Sequence, residues 1–166
     1  MHPVLTQRQY DAAKGAGNRE AMRARVEGGE VPGILGYCEG TAVAWCSLGP
    51  RDRFSRLGRS RILKPVDDRP VWSIVCFFIA RPWRQRGLSV GMIEAACRFA
   101  ASRGAECLEA YPIEPVKSPM PAVFAWTGIA AAFFRAGFLE VARRSPTRPI
   151  VRRDLDGSRP AGAGRR

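Results

Sequence analysis

The sequence holds a single histidine, His2, at the very start of the chain. That scarcity excludes two large classes of chemistry. A Ser-His-Asp or Cys-His nucleophile system has no base here, and a histidine-based metal site has no ligands. The five cysteines, Cys38, Cys46, Cys76, Cys97 and Cys107, include no CxxC pair, so neither a zinc knuckle nor a thioredoxin-type redox motif is supported. Four of them sit in apolar segments and read as reduced, packed thiols of a cytosolic protein. No apolar run approaches the ~20 residues that span a bilayer, and no charged-then-apolar signal opens the chain. The expectation is a cytoplasmic protein with no membrane partner and no metal.

What is present fits one domain. The chain has 166 residues, of which 46% are hydrophobic, enough for a real core. The net charge is +12, and residues 143–166 carry +6 of it, as eight arginines against Asp154 and Asp156. A basic chain attracts anions: nucleic acid, an anionic membrane face or a phosphorylated cofactor. Charge alone cannot choose among them, and general solubility with a basic tail explains it at least as well as nucleic-acid binding, against which stand the lack of a nucleic-acid fold signature and the confinement of lysine to Lys14, Lys64 and Lys117. The organisation expected is a domain over 1–155 and a basic, disordered tail over 156–166.

Patterning predicts helices over 6–13 and 17–28, then strands over 34–38 and 41–48 joined as a hairpin. Residues 49–70 are polar and rich in Arg, Gly and Pro, a long connection with a helical turn near 54–57. Val71–Ala80 leaves almost no polar face and is expected to be a central strand buried on both sides. An amphipathic helix follows over 87–103, with Leu88, Met92, Ala95, Ala96 and Phe99 at helical spacing and Gly104 at its end. A strand over 106–111, a proline-rich loop over 112–121, a helix over 124–135 and strands over 137–142 and 149–155 complete the pattern. The fold class is α/β or α+β, one mixed sheet with helices on both faces.

The segment Ile79-Ala80-Arg81-Pro82-Trp83-Arg84-Gln85-Arg86-Gly87-Leu88-Ser89 joins that buried strand to the amphipathic helix. A helix N-terminus offers unpaired N–H groups and the positive end of a dipole. A phosphate placed there accepts several hydrogen bonds at once. Gly87 and Ser89 are small enough for close approach, and Arg84 and Arg86 add charge. The segment is neither a Walker A loop nor a Rossmann fingerprint.

These residues resemble the GNAT acetyltransferase superfamily, which carries Arg/Gln-x-x-Gly-x-Gly/Ala at this turn; Arg84, Gly87 and Ser89 occupy the three positions. The strand Cys76–Pro82 and the junction Phe133-Phe134-Arg135-Ala136-Gly137-Phe138 resemble the family's central strand and its Tyr-x-x-x-Gly-Phe junction. The resemblance covers roughly residues 17–155. It implies a mostly antiparallel GNAT-like sheet, acetyl-CoA as co-substrate and a small-molecule or protein amine as acceptor. It further implies that Phe78, Ile79, Arg84, Gln85, Arg86, Gly87, Leu88, Ser89 and Phe133 line the cofactor site. Two departures stand out. Phe133 replaces a tyrosine that can protonate the leaving thiolate, and Met1–Leu5 is too short for the family's first strand. A sheet lacking that strand would expose an edge and invite a homodimer.

Acetylation by direct attack needs a neutral amine, hence a base or a water chain. Strand 71–80 holds no acid, whereas Glu109 and Tyr111 alternate onto one face of the next strand. Glu109 is the candidate base, directly or through water, with Glu114 in reserve, and Tyr111 is the candidate acid. Each has a plain alternative: a partnered strand residue for Glu109, a solvated loop charge for Glu114 and a packing aromatic for Tyr111. Trp126 could cover an acceptor and Asp67 and Asp68 could meet a cationic amine, with packing and a solvated turn as the simpler readings. Three functions follow in order: an N-acetyltransferase, a catalytically silent acyl-CoA-binding or sensing domain, and a basic nucleic-acid-binding protein.

Overall fold

A computed structural model of the chain describes residues 7–115 and 126–155, with the side chains of residues 7, 9 and 10 excepted. Two helices, α1 (Gln7–Ala12) and α2 (Ala16–Glu27), precede the hairpin β1 (Gly33–Cys38) and β2 (Thr41–Pro50). A turn of 3-10 helix, Arg51–Arg53, and the short α3 (Ser55–Gly58) interrupt the long connection to β3 (Trp72–Ile79). Then come α4 (Leu88–Ser102), β4 (Cys107–Ala110), α5 (Ala130–Arg135), β5 (Leu139–Arg143) and β6 (Pro149–Asp154). The six strands form one sheet in the order β1-β2-β3-β4-β6-β5. Only β3 and β4 run parallel, as a pair joined by a helical crossover must. The mixed, mostly antiparallel sheet is therefore the one expected, with β1 and β5 at the edges of its described part.

Alternation along β3, reset by a bulge between Ile74 and Cys76, builds two cores. Ile74, Phe77 and Ile79 join the larger cluster, onto which α4 lays Met92, Ile93, Ala96, Cys97 and Ala100 at helical spacing. Ala96 and Ala100 are fully buried, and their small side chains let the helix approach the sheet closely. Each large aliphatic buried there contributes about 1.5–3 kcal/mol. Val75 points the other way, where Phe54 and Leu57 from the 51–71 connection pack with Tyr111 and Ile150. Arginines tie that connection to the sheet: Arg51 donates to the Leu63 carbonyl, and Arg144 to those of Lys64 and Pro65.

Three expectations need correction. β3 is not buried on both sides throughout: Phe78 is 51% exposed, because among the described residues no element covers its end of the sheet on the face away from α4. Gly49 and Pro50 belong to β2, since both still pair with β3. The helix expected over 124–135 starts only at Ala130. Trp126 and Thr127 form a turn, and Gly128 adopts φ +81, which breaks helical geometry. The first-strand segment, part of the proline-rich loop and the basic tail lie outside the described residues. All five cysteines are free thiols, with Cys46, Cys97 and Cys107 buried; burial pushes the Cys107 thiol up to about 11.

Candidate functional site

The chain leaves β3 through a turn of 3-10 helix at Arg81–Trp83, extends at Arg84, and reverses through Gln85 (φ +60) and Gly87 (φ +77) before α4 begins. Left-handed backbone at a glutamine is uncommon and costly, and such geometry concentrates at ligand sites. Arg84 Nε donates to the Ile79 carbonyl at 2.8 Å, which locks the turn against the strand it came from. The Arg86 guanidinium lies over the Trp83 ring, 5.4 Å from its centre. No side chain caps α4, and its first turn carries no acid. A Cβ placed on Gly87 would meet nothing within 4 Å among the described residues, so there is room beside the backbone at the positive end of this 15-residue helix. The sequence-predicted residues Ile79 and Arg84–Ser89 are thus brought together in one turn.

Beside this turn the sheet opens. β3 and β4 pair over only three rungs, Trp72–Ile74 with Leu108–Ala110, and then part. The segment from Trp126 to Ala130 enters the opening. The Phe77 N–H donates to the Trp126 carbonyl at 2.7 Å, and the Ile113 N–H donates to that of Gly128 at 2.9 Å. The Ala130 N–H returns a bond to Ile113. Gly128 presses against the Phe133 ring, where a Cβ would come within 2.6 Å of Cε2. Phe133 itself is fully buried, edge-on to Phe77 and Phe138. Phe78 lies opposite Trp45, and Trp45 opposite Leu35, which gives a half-exposed apolar row on the face away from α4.

Glu109 and Tyr111 do share a face, and they touch. The Tyr111 hydroxyl donates to Glu109 Oε1 at 2.5 Å, so the Ser73 hydroxyl, 2.9 Å away, donates to Tyr111 in turn. Arg152 Nε donates to Glu109 Oε2 at 2.8 Å and grips Asp67 with its other two nitrogens at 2.6 and 3.0 Å. Arg51 approaches Glu109 at 3.9 Å and donates to Tyr111. Glu109 and Tyr111 are each only 1% exposed, and both carboxylate oxygens are engaged. Burial and the Glu109 charge push the Tyr111 phenol far up, so it stays protonated. Burial opposes the Arg152 charge, but its bonds to Asp67 and Glu109 outweigh that and raise its pKa. The hydrogen bond from Arg152 holds the Asp67 carboxyl below its usual range.

A second polar group lies at the mouth of the opening. Arg148 Nη1 donates to Thr127 Oγ1 at 2.7 Å and more weakly to the Tyr111 carbonyl at 3.4 Å, and its guanidinium sits over the Trp126 ring at 5.8 Å. Burial alone lowers its pKa. Glu114 pairs with Arg143 at 2.6 Å instead. Sequence reasoning missed Arg51, Ser73, Arg148 and Arg152, all of which act through partners distant in the chain. Asp68 does not join the network; with Asp67 it borders a cleft of about 650 Å³ beside Val71, Trp72 and Glu106, at the end of β3 remote from the turn. Among the described residues no group of three or more His, Cys, Asp or Glu side chains is placed to hold a metal ion.

Comparison with known proteins agrees with this geometry. The model of the acetyltransferase (GNAT) family matches residues 5–138. A GNAT-family acetyltransferase from Listeria monocytogenes superposes with a TM-score of 0.55 at 14% identity, over 90% of this chain and 77% of that one. One from Streptococcus agalactiae gives 0.52 at 10% identity, over 88% and 77%. One from Streptococcus pneumoniae gives 0.51 at 11% identity, over 85% and 77%. At such identities the likeness establishes the fold alone. No curated protein matches in sequence. With the family model covering most of its length and the sheet order, open strand pair and strand-to-helix turn in place, the chain belongs to the acetyltransferase (GNAT) family.

Proposed function

We propose that the protein is an acetyl-CoA-dependent N-acetyltransferase that passes an acetyl group to a primary amine by direct attack within a ternary complex. The observation that carries this reading is the N-terminus of α4, without a side-chain cap among the described residues and with room beside Gly87, next to the parted strands β3 and β4. Several residues fit the donor's pyrophosphate: the amides of Gly87, Leu88 and Ser89, with Arg84, Gln85 and Arg86 around them. Phe78 and Ile79 would flank the acyl arm on β3. Acetyl-CoA supplies the activated thioester. The protein's part is to orient the amine, exclude water and remove a proton.

That proton is assigned to Glu109 acting through water, since burial keeps its carboxylate from meeting an amine directly, and Tyr111 is assigned as the acid. The silent acyl-CoA-binding domain stays as the second reading for two reasons. Phe133 has no hydroxyl and is fully buried, and Glu109 has both oxygens engaged.

Calorimetry with acetyl-CoA, followed by thiol-release turnover over a panel of amines, separates the readings. Binding with turnover supports the enzyme; binding without it supports the sensor. Gly87→Glu should abolish acetyl-CoA binding. Because Gly87 has φ +77, any side chain there costs about 1–2 kcal/mol. Gly87→Ala therefore serves as the control for strain. Unchanged affinity in Gly87→Glu would remove the turn from the cofactor site.

A further inference from the structure

Arg148 is a half-buried cation without a counter-ion among the described residues. Its two hydrogen bonds both leave Nη1 and both end on neutral oxygens, Thr127 Oγ1 and the Tyr111 carbonyl. Nε and Nη2, the edge of a guanidinium that matches the two oxygens of a carboxylate, bond to nothing among the described residues. The other arginines drawn into this side of the sheet differ: Arg51 and Arg152 both reach Glu109, and Arg152 reaches Asp67 as well. Residues 1–6 and 116–125 contain no Asp or Glu either.

Half-burying a charge without a partner is costly. Here the cost is visible as a pKa lowered by burial with no acid to offset it. A side chain held in that state by Thr127 and by the Trp126 ring is preorganised for an anion that comes from outside. Its position says which anion. Trp126 is bonded to Phe77 of β3, and the Tyr111 carbonyl follows the last rung of β4, so Arg148 stands at the mouth of the opening between the strands. The donor's phosphates are assigned elsewhere, to the α4 turn.

We infer that Arg148 binds a carboxylate of the acceptor, and that the acceptors are small amines that also carry a carboxylate, amino acids or close relatives of them. This rests on the acyl-transfer reading above. Trp126, beneath the guanidinium, is the aromatic neighbour that such an acceptor would meet.

The test uses amines matched in pairs: tryptophan with tryptamine, methionine with 3-(methylthio)propylamine, lysine with cadaverine. Turnover is followed by thiol release at saturating acetyl-CoA. The native protein should favour the carboxylate-bearing member of at least one pair by about tenfold or more in kcat/KM, the scale of a charge-assisted bidentate contact. Arg148→Gln should erase that preference through the acceptor KM, leaving kcat and the KM for acetyl-CoA in place. Arg148→Lys, which keeps the charge and loses the fork, should fall between. Thermal melts of both variants confirm that they fold. Equal use of both members of every pair overturns the inference, as does an equal loss for both in Arg148→Gln. A raised KM for acetyl-CoA in Arg148→Gln also overturns it, since the guanidinium would then serve the donor. If acetyl-CoA binds and no carboxylate-bearing amine in the panel is acetylated, the inference fails while the acyl-CoA site stands. If acetyl-CoA itself does not bind, the acyl-transfer reading fails first.

Discussion

Arg148 and Arg152 lie four residues apart, one before β6 and one on it, and their surroundings are opposite. Arg152 is 9% exposed and holds two carboxylates, Glu109 and Asp67, in a closed network with Tyr111 and Ser73 beneath the 51–71 connection. Among the described residues Arg148 bonds only to neutral oxygens and lies over an indole, at the mouth of the opening between β3 and β4. Their pKa values move in opposite directions for that reason. The contrast separates a structural charge from a functional one. A charge that the fold needs brings its partner within the chain, whereas a charge kept for a ligand is left without one.

Substitution at Arg152 breaks the comparison most severely. Arg152→Gln strands Glu109 in the interior and should cost about 3–5 kcal/mol in chemical denaturation. Glu109→Gln should cost less, because the amide still accepts from Tyr111 and Arg152 keeps Asp67. In that variant the pH–rate profile also tests the proton route: if turnover is retained with an unshifted acid limb, Glu109 is not the base. A pH titration of stability has a smaller effect. Asp67 has its folded pKa depressed by Arg152, so its contribution is complete above the unfolded value of about 3.9 and is lost as the pH falls through the folded value. Melting temperatures should therefore drop below about pH 4, and less steeply in Asp67→Asn. Glu140, depressed by Arg143, adds a loss of the same sign in both proteins. The smallest change is expected in Arg148→Gln, within about 1 kcal/mol of the native protein, since no acid loses its partner. A stability loss as large as that of Arg152→Gln would erase the distinction between the two arginines.

Much of the fold was legible in local pattern. The run of β-branched and aromatic residues in β3, the apolar spacing of α4 and the punctuation by Gly87 and Gly104 gave their elements to within a residue or two. The strand-to-helix turn was legible for the same reason: its chemistry is contiguous, and a helix N-terminus is local physics. The start of α5 was not legible. Apolar residues before Ala130 suit a helix, but hydrogen bonds to Phe77 and Ile113 hold Trp126–Ile129 as a turn and bridge between two strands. Local propensity gave way to pairing with a distant strand. The half-exposure of Phe78 was equally hidden, because it depends on what covers the sheet rather than on the strand's own composition.

By itself the sequence determined the strand and helix order and the small, arginine-rich turn at Arg84–Ser89 between a buried strand and an amphipathic helix. Those properties depend on residue type and short spacing alone. The tertiary structure decided which charges meet. It set Glu109 opposite Arg152 in the β4–β6 register, brought Asp67 across from a connection 85 residues away, and left Arg148 with no acid among the described residues. Electrostatic role follows from distance and burial, and for residues far apart in the chain both are fixed only when the sheet closes.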